Sequence, residues 1–171
     1  MNLRASQGGN MRKVAELWNE LESLVPGIKK VWALEDAKGL YIPVVSVKQM
    51  YPGHAKQVGL AVTSSRAAAY HGRFVIVVDD DIDPNKTSEV LWALATRCDP
   101  ATALEIVTGC WSTPLDPTIP PEKRRQGDFT NSRGIIIACR PYHWMKEFPP
   151  SFKLDPEEVR RTREKWQSLF K

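Results

Sequence analysis

Apolar residues Val14, Leu17, Trp18 and Leu21 recur at i, i+3, i+4 and i+7. That spacing gathers side chains on one face of a helix. The pattern predicts a helix from about Met11 to Leu24, ended by Pro26-Gly27. Two strands follow, Lys30 to Leu34 and Tyr41 to Val47, with Lys38-Gly39 in the turn between them. Pro43 points to an edge position or to the start of its strand. Gly53 to Tyr70 reads as one long helix with a small-residue surface (Ala55, Gly59, Ala67 to Ala69), suited to close packing on a sheet or on another chain. Phe74 to Val78 is a continuous apolar run, as in a strand buried on both faces. Asp83-Pro84 predicts the next helix start, Val90, Leu91 and Leu94 its stripe, and Asp99-Pro100 its stop. Leu104 to Val107 and Ile135 to Ala138 are further strands. The Pro-rich stretch Thr113 to Arg133 between them is expected to be a long ordered loop. Asp155-Pro156-Glu157-Glu158 is an acidic helix start, and Val159, Trp166 and Phe170 give the last helix an apolar side.

Strands alternating with helices imply βαβ units. The expected fold is α/β: a mixed sheet of about five strands with helices packed on it and a C-terminal helix. Residues 1–10 are expected to be a flexible leader, 11–171 a single α/β domain, and 11–25 a connector helix.

With 171 residues, the chain suits one domain. No apolar run approaches a membrane span, and the polar N-terminus lacks a signal-peptide core, so a cytoplasmic protein is expected. Cys98, Cys110 and Cys139 have no metal-type spacing and read as buried thiols. The net charge of +4 is not gathered into a stripe. Lys123 to Arg125 and Arg160, Arg161 and Arg163 have acidic neighbours and read as solvated faces, so no nucleic-acid partner is expected.

Two places could carry chemistry. In Tyr51 to Lys56, Pro52-Gly53 turns into a helix start with His54 and Lys56 in its first turn. The alternatives there are an anion site and a capping turn with an exposed histidine. Asp79, Asp80, Asp81 and Asp83 close a buried strand, where open α/β sheets place ligands. They could hold a divalent cation, or simply favour the next helix. No Gly-x-Ser-x-Gly elbow, His-x-x-x-His pair or P-loop is present. Trp111 and Trp144 lie in loops, where aromatics either pack locally or anchor another subunit.

Several blocks occur in order: Val47-Lys48-Gln49, Tyr51 to Lys56, Phe74 to Pro84, Val90 to Arg97, Trp111 to Pro117, and Ser132-Arg133. Together they resemble the C-terminal part of the UbiD-type aromatic acid decarboxylases. Arg140 to Trp144 looks most like members acting on hydroxylated benzoates. The resemblance implies a non-oxidative (de)carboxylase that uses prenylated FMN with Mn2+ and K+. It also implies that the catalytic groups belong to an upstream flavin domain, so that no catalytic or metal residue is assigned here. The family's C-terminal domain makes subunit contacts, which implies a homo-oligomer, a flavin-binding decarboxylase subunit as partner, or both. A basic side chain reaches the flavin phosphate in relatives; Arg66 is the candidate and Lys56 the second choice. The expected role is an assembly domain, inactive alone. The alternative is an independent ligand- or metal-binding protein that uses the aspartate-rich strand end.

Overall fold

The computed structural model describes residues 3–34, 42–70, 72–150 and 155–167. Helix α1 (Leu3–Leu24) lays Val14, Leu17 and Leu21 into the core, as the periodicity predicts. It begins at Leu3, inside the segment expected as a leader. Gly8 and Gly9, each costing a helix about 0.5–1 kcal/mol relative to alanine, lie within it.

Strands β1 (Ile28–Ala33) and β2 (Pro43–Val47) pair antiparallel. Pro43 stands at the start of β2, an interior strand. Helices α2 (His54–Ser64) and α3 (Arg66–Ala69) lead to β3 (Phe74–Asp79), parallel to β2. Helix α4 (Thr87–Arg97) leads to β4 (Leu104–Cys110). Helix α5 (Pro121–Arg125) precedes β5 (Asn131–Ala138), which lies parallel to β3 and antiparallel to β4. A 3-10 turn (Tyr142–Trp144) and α6 (Pro156–Lys165) complete the described elements. The sheet order is β1-β2-β3-β5-β4, a mixed five-stranded α/β sheet.

Helices α1, α2 and α3 cover one face through Leu17, Leu21, Val58, Val62 and Ala68, packed on Val45, Val47, Val75 and Val77. Helix α4 covers part of the other through Val90 and Ala93 on Val44, Ile76 and Val78. Each fully buried valine contributes about 1.5–3 kcal/mol, so the apolar runs of β2 and β3 dominate the core. The small-residue face of α2 lies on this chain's own sheet. A Cβ at Gly59 would stand 2.2 Å from Ile135 Cγ2, and Ala55, Val58 and Val62 are buried beside it. That face is therefore closed to a partner.

Three elements differ from the sequence reading. The long helix breaks at Ser65, whose backbone is extended and whose Oγ accepts from the Ala68 N–H and donates to the Val62 carbonyl. Serine competes with the helix backbone in this way. Helix α4 starts at Thr87, because the Asp83 carboxylate accepts from the Asn85 N–H and makes a turn first. The stretch expected as a loop contains α5, and β5 begins at Asn131, earlier than Ile135. The last helix is capped as predicted, with Asp155 accepting from the Glu157 N–H at 3.0 Å.

Candidate functional site

Arg66 opens α3 and is exposed. It lines a groove of about 530 Å³ with Arg12, Lys13, Glu16 and Glu20 of α1, and with Ala67 and Tyr70. Arg12 stands 3.8 Å from Glu16. Burial and the neighbouring Arg12 charge lower the Lys13 pKa. Three cations in one groove give the place a positive wall, tempered by two carboxylates.

Lys56 lies elsewhere. Its Nζ meets Glu105 Oε1 of β4 at 2.5 Å. The structure therefore does not bring Arg66 and Lys56 together: one faces α1, and the other bridges α2 to β4.

His54 is fully buried, not exposed. Its Nδ1 accepts from the Met50 N–H at 3.1 Å, so Nε2 carries the proton and donates to the Pro26 carbonyl at 3.0 Å. Tyr51 stacks on the ring. Burial lowers its pKa, opposed by the Pro26 hydrogen bond. A neutral imidazole with both nitrogens engaged is a structural pin between the α1–β1 and β2–α2 turns. It has no cation to offer an anion.

At the carboxyl end of β3 the aspartates meet arginines. Arg97 Nη1 donates to Asp79 Oδ2 at 2.8 Å and to Asp81 Oδ1 at 2.7 Å, and its Nη2 donates to Asp81 Oδ2 at 2.7 Å. Arg140 donates to Asp79 Oδ2 from its backbone N–H at 2.7 Å and from Nε at 3.1 Å. Gln49 Nε2 donates to Asp79 Oδ1 at 2.8 Å and to the Arg140 carbonyl at 2.9 Å. Hydrogen bonds from Arg97 outweigh burial and hold the Asp81 carboxyl below its ordinary pKa. This is the end of the sheet where an open α/β fold would take a ligand; Asp79 and Arg97 are buried on each other there, while Asp80 and Asp81 line an open groove of about 380 Å³ with Lys30, Ser46, Asp83 and Lys86. Among the described residues, no group of His, Cys, Asp or Glu is arranged to hold a metal ion.

A second cluster organises the Pro-rich stretch. Asp116 accepts from Arg73 and Thr118, and from Asn131 Nδ2 at 2.6 Å, while Arg124 donates to the Ile119, Pro114 and Asp116 carbonyls. Burial would raise the Asp116 pKa, but these hydrogen bonds prevail and hold it well below the carboxylate range. Trp111 packs against Tyr70 and Trp144 against Phe148, with ring centroids 5.0 Å apart in each pair, and both tryptophans stay largely exposed.

Sequence reasoning missed the Arg97–Asp79–Asp81–Arg140 lattice. The only local signal was a basic residue closing a helix that follows an acidic strand end.

An α/β domain with this order of blocks is matched by one family model, the 3-octaprenyl-4-hydroxybenzoate carboxy-lyase C-terminal domain, over residues 9–139. The chain belongs to that family, the C-terminal domain of the UbiD decarboxylases. Solved structures agree. The UbiD-class enzyme HmfF from Pelotomaculum thermopropionicum, in complex with FMN, has 24% identity and a TM-score of 0.77, covering 91% of this chain and 33% of that one. The vanillic acid decarboxylase of Sedimentibacter hydroxybenzoicus in open form has 28% identity and a TM-score of 0.69, over 94% of this chain and 33% of that one. An evolved dimeric form of HmfF in complex with prFMN has 21% identity and a TM-score of 0.64, over 87% of this chain and 28% of that one. The likeness to the two HmfF structures is one of fold. This chain spans about a third of the length of the first two structures.

The residues present can be set against the FMN and prFMN of the two HmfF structures. The groove holding Arg66, Arg12 and Lys13 suits the phosphate of a flavin. Lys56 would have to give up Glu105 to serve a phosphate. Among the described residues, no helix is long and apolar enough to cross a membrane.

Proposed function

We propose that this domain is the assembly part of a UbiD-type (de)carboxylase of hydroxybenzoate-type acids, inactive by itself and productive only with a flavin-binding domain or partner chain. Helix α1 is the connector to that flavin domain. Arg66 reaches the phosphate of prenylated FMN from the α1–α3 groove, with Lys56 the weaker candidate because of its ion pair. The flavin, with its metal ions, supplies the carbon–carbon chemistry when bound. This chain's own residues bind and orient. The observation that carries the reading is the family match over residues 9–139. The arginines that engage Asp79 and Asp81 argue against an independent metal-binding role at that strand end.

The test is reconstitution. This chain is coexpressed with the flavin-binding part of a UbiD-class hydroxybenzoate decarboxylase, in cells that make prenylated FMN. Copurification as a coloured complex that releases CO2 from hydroxybenzoate is expected, while the chain alone stays colourless and inactive. Turnover by the isolated chain supplied with prenylated FMN would overturn the proposal, as would failure of the two parts to associate.

A further inference from the structure

Ile106 pairs with Gly134, and Gly134 pairs with Phe74, so the three form one row across the sheet. The Phe74 ring occupies the space a side chain at Gly134 would need. The row lies outside the cluster that α4 covers, and it leaves Phe74 43% and Ile106 66% exposed. From there a groove of about 420 Å³ runs to Ile119 and Pro120 of the Pro-rich stretch. Small-molecule sites fall in this range of size.

Every charged side chain on the walls of this groove is basic: Arg73, Lys123 and Arg133. Arg133 is buried and donates to the Trp111 carbonyl. Arg73 spends only its Nη2 on Asp116 and Thr118, which leaves Nε and Nη1 as donors. Lys123 is held by the Thr130 carbonyl and hydroxyl, and it meets Asp128 at 3.2 Å. The two acidic partners, Asp116 and Asp128, do not line the groove. Three cations set against two carboxylates leave an excess of positive charge on its walls. Burial lowers the Arg133 pKa, Cys110 opposes this, and the like charge of Arg73 lowers it further. An anion placed here relieves that repulsion.

We infer that this groove binds a small organic acid whose carboxylate is joined to a flat apolar body, as in an aromatic monocarboxylate. The two kinds of wall select the two halves of the ligand. The carboxylate takes the remaining donors of Arg73, in the field of Lys123 and Arg133. The ring lies against Phe74 and Ile106, which otherwise face water. A bare inorganic anion would leave the apolar wall unused. A neutral hydrocarbon would leave the cations uncompensated. The groove shares no residue with the one that holds Arg66.

This goes beyond the flavin-partner reading, and the two fail separately: ligand binding is read on the full chain alone, and partner binding from reconstituted activity. Benzoate is the probe. Titrated into the isotope-labelled full chain, it should shift the amide NMR signals of Arg73, Phe74 and Ser132 to Gly134, with a Kd on the order of 1 mM, ordinary for a one-ring ligand. Acetate and benzyl alcohol, each carrying one half of the probe, should bind at least about tenfold more weakly. Ile106 is exposed, so replacing it spares the core. Ile106→Glu sets a carboxylate on the groove wall and should weaken benzoate about tenfold, while Ile106→Lys should retain it. Both variants place a charge at the same position of β4, so the contrast between them reports its sign. The three-ligand comparison on the parent chain decides the matter should either variant fail to fold. Absence of shifts at about ten times the expected Kd would overturn the inference, as would acetate or benzyl alcohol binding as well as benzoate. Shifts confined to the Arg66 groove, or equal benzoate affinity in the two Ile106 variants, would overturn it too.

Discussion

At the carboxyl ends of β2, β3 and β5, Asp79 and Arg97 are buried together, and Asp79, Asp81, Arg97 and Arg140 meet opposite charges inside the domain. At the outer side of β4, Leu104 and Ile106 lie open and the backbone meets no further strand among the described residues. The first region has the residue types of a ligand site and the geometry of a clasp. The second has ordinary residue types and the geometry of a contact surface. Ionisable side chains at a favoured crevice thus carry little functional information until their partners are known. Exposed apolar residues on a free edge carry more than their composition suggests.

The comparison is broken most severely at Asp79. Asp79→Ala would leave Arg97 and Arg140 without their shared carboxylate in a buried setting. Removing one partner of such a pair typically costs about 3–5 kcal/mol. Urea denaturation should show that loss as a large fall in midpoint with little change in slope. A change within about 0.5 kcal/mol would mean that the lattice is incidental.

The next effect is set by pH. Because burial lowers the folded-state pKa of His54, the unfolded chain binds the extra proton first. Stability is then complete above the ordinary histidine value of about 6.5 and falls as pH drops below it. Thermal melts between pH 8 and pH 5 should show this decline, and His54→Gln should flatten it at the cost of lower stability throughout. The paired carboxylates Asp81 and Asp116 act in a separate window. Their depressed pKa values contribute stability above about pH 4 that is lost on further acidification.

The smallest expected effects separate the two basic candidates. Lys56→Ala removes a partly exposed ion pair, worth at most about 1 kcal/mol. Arg66→Ala should leave the melting temperature nearly unchanged and reduce flavin retention in the reconstituted complex. Equal flavin loss in both variants would remove the preference for Arg66.

The sheet was legible because its strands announce themselves locally. Phe74 to Val78 is apolar throughout, and only a strand covered on both faces uses such a run. Asp155 and Pro156 likewise name a helix start with neighbouring residues alone. The break at Ser65 and the delayed start of α4 were hidden, because each depends on which backbone group a short polar side chain chooses. The candidate site was the least legible part. Arg97 lies 18 positions from Asp79, and Arg140 lies 61 positions away. No period in the sequence records that they meet. A similar limit applied to His54, whose Pro26 partner is 28 residues upstream.

Gly27 sits where α1 is handed to the sheet. Its φ of 78° is one that glycine adopts readily, and a side chain there would stand 2.8 Å from the Lys48 carbonyl and 3.3 Å from the His54 ring. The 22-residue helix before it is roughly 33 Å long. Leverage follows from that geometry. A tilt of about 5° at the Gly27 fulcrum would sweep the far tip through roughly 3 Å. The direction of α1 is therefore set jointly by the turn at Gly27 and by the buried Val14, Leu17 and Leu21, and a replacement at Gly27 would set those two constraints against each other.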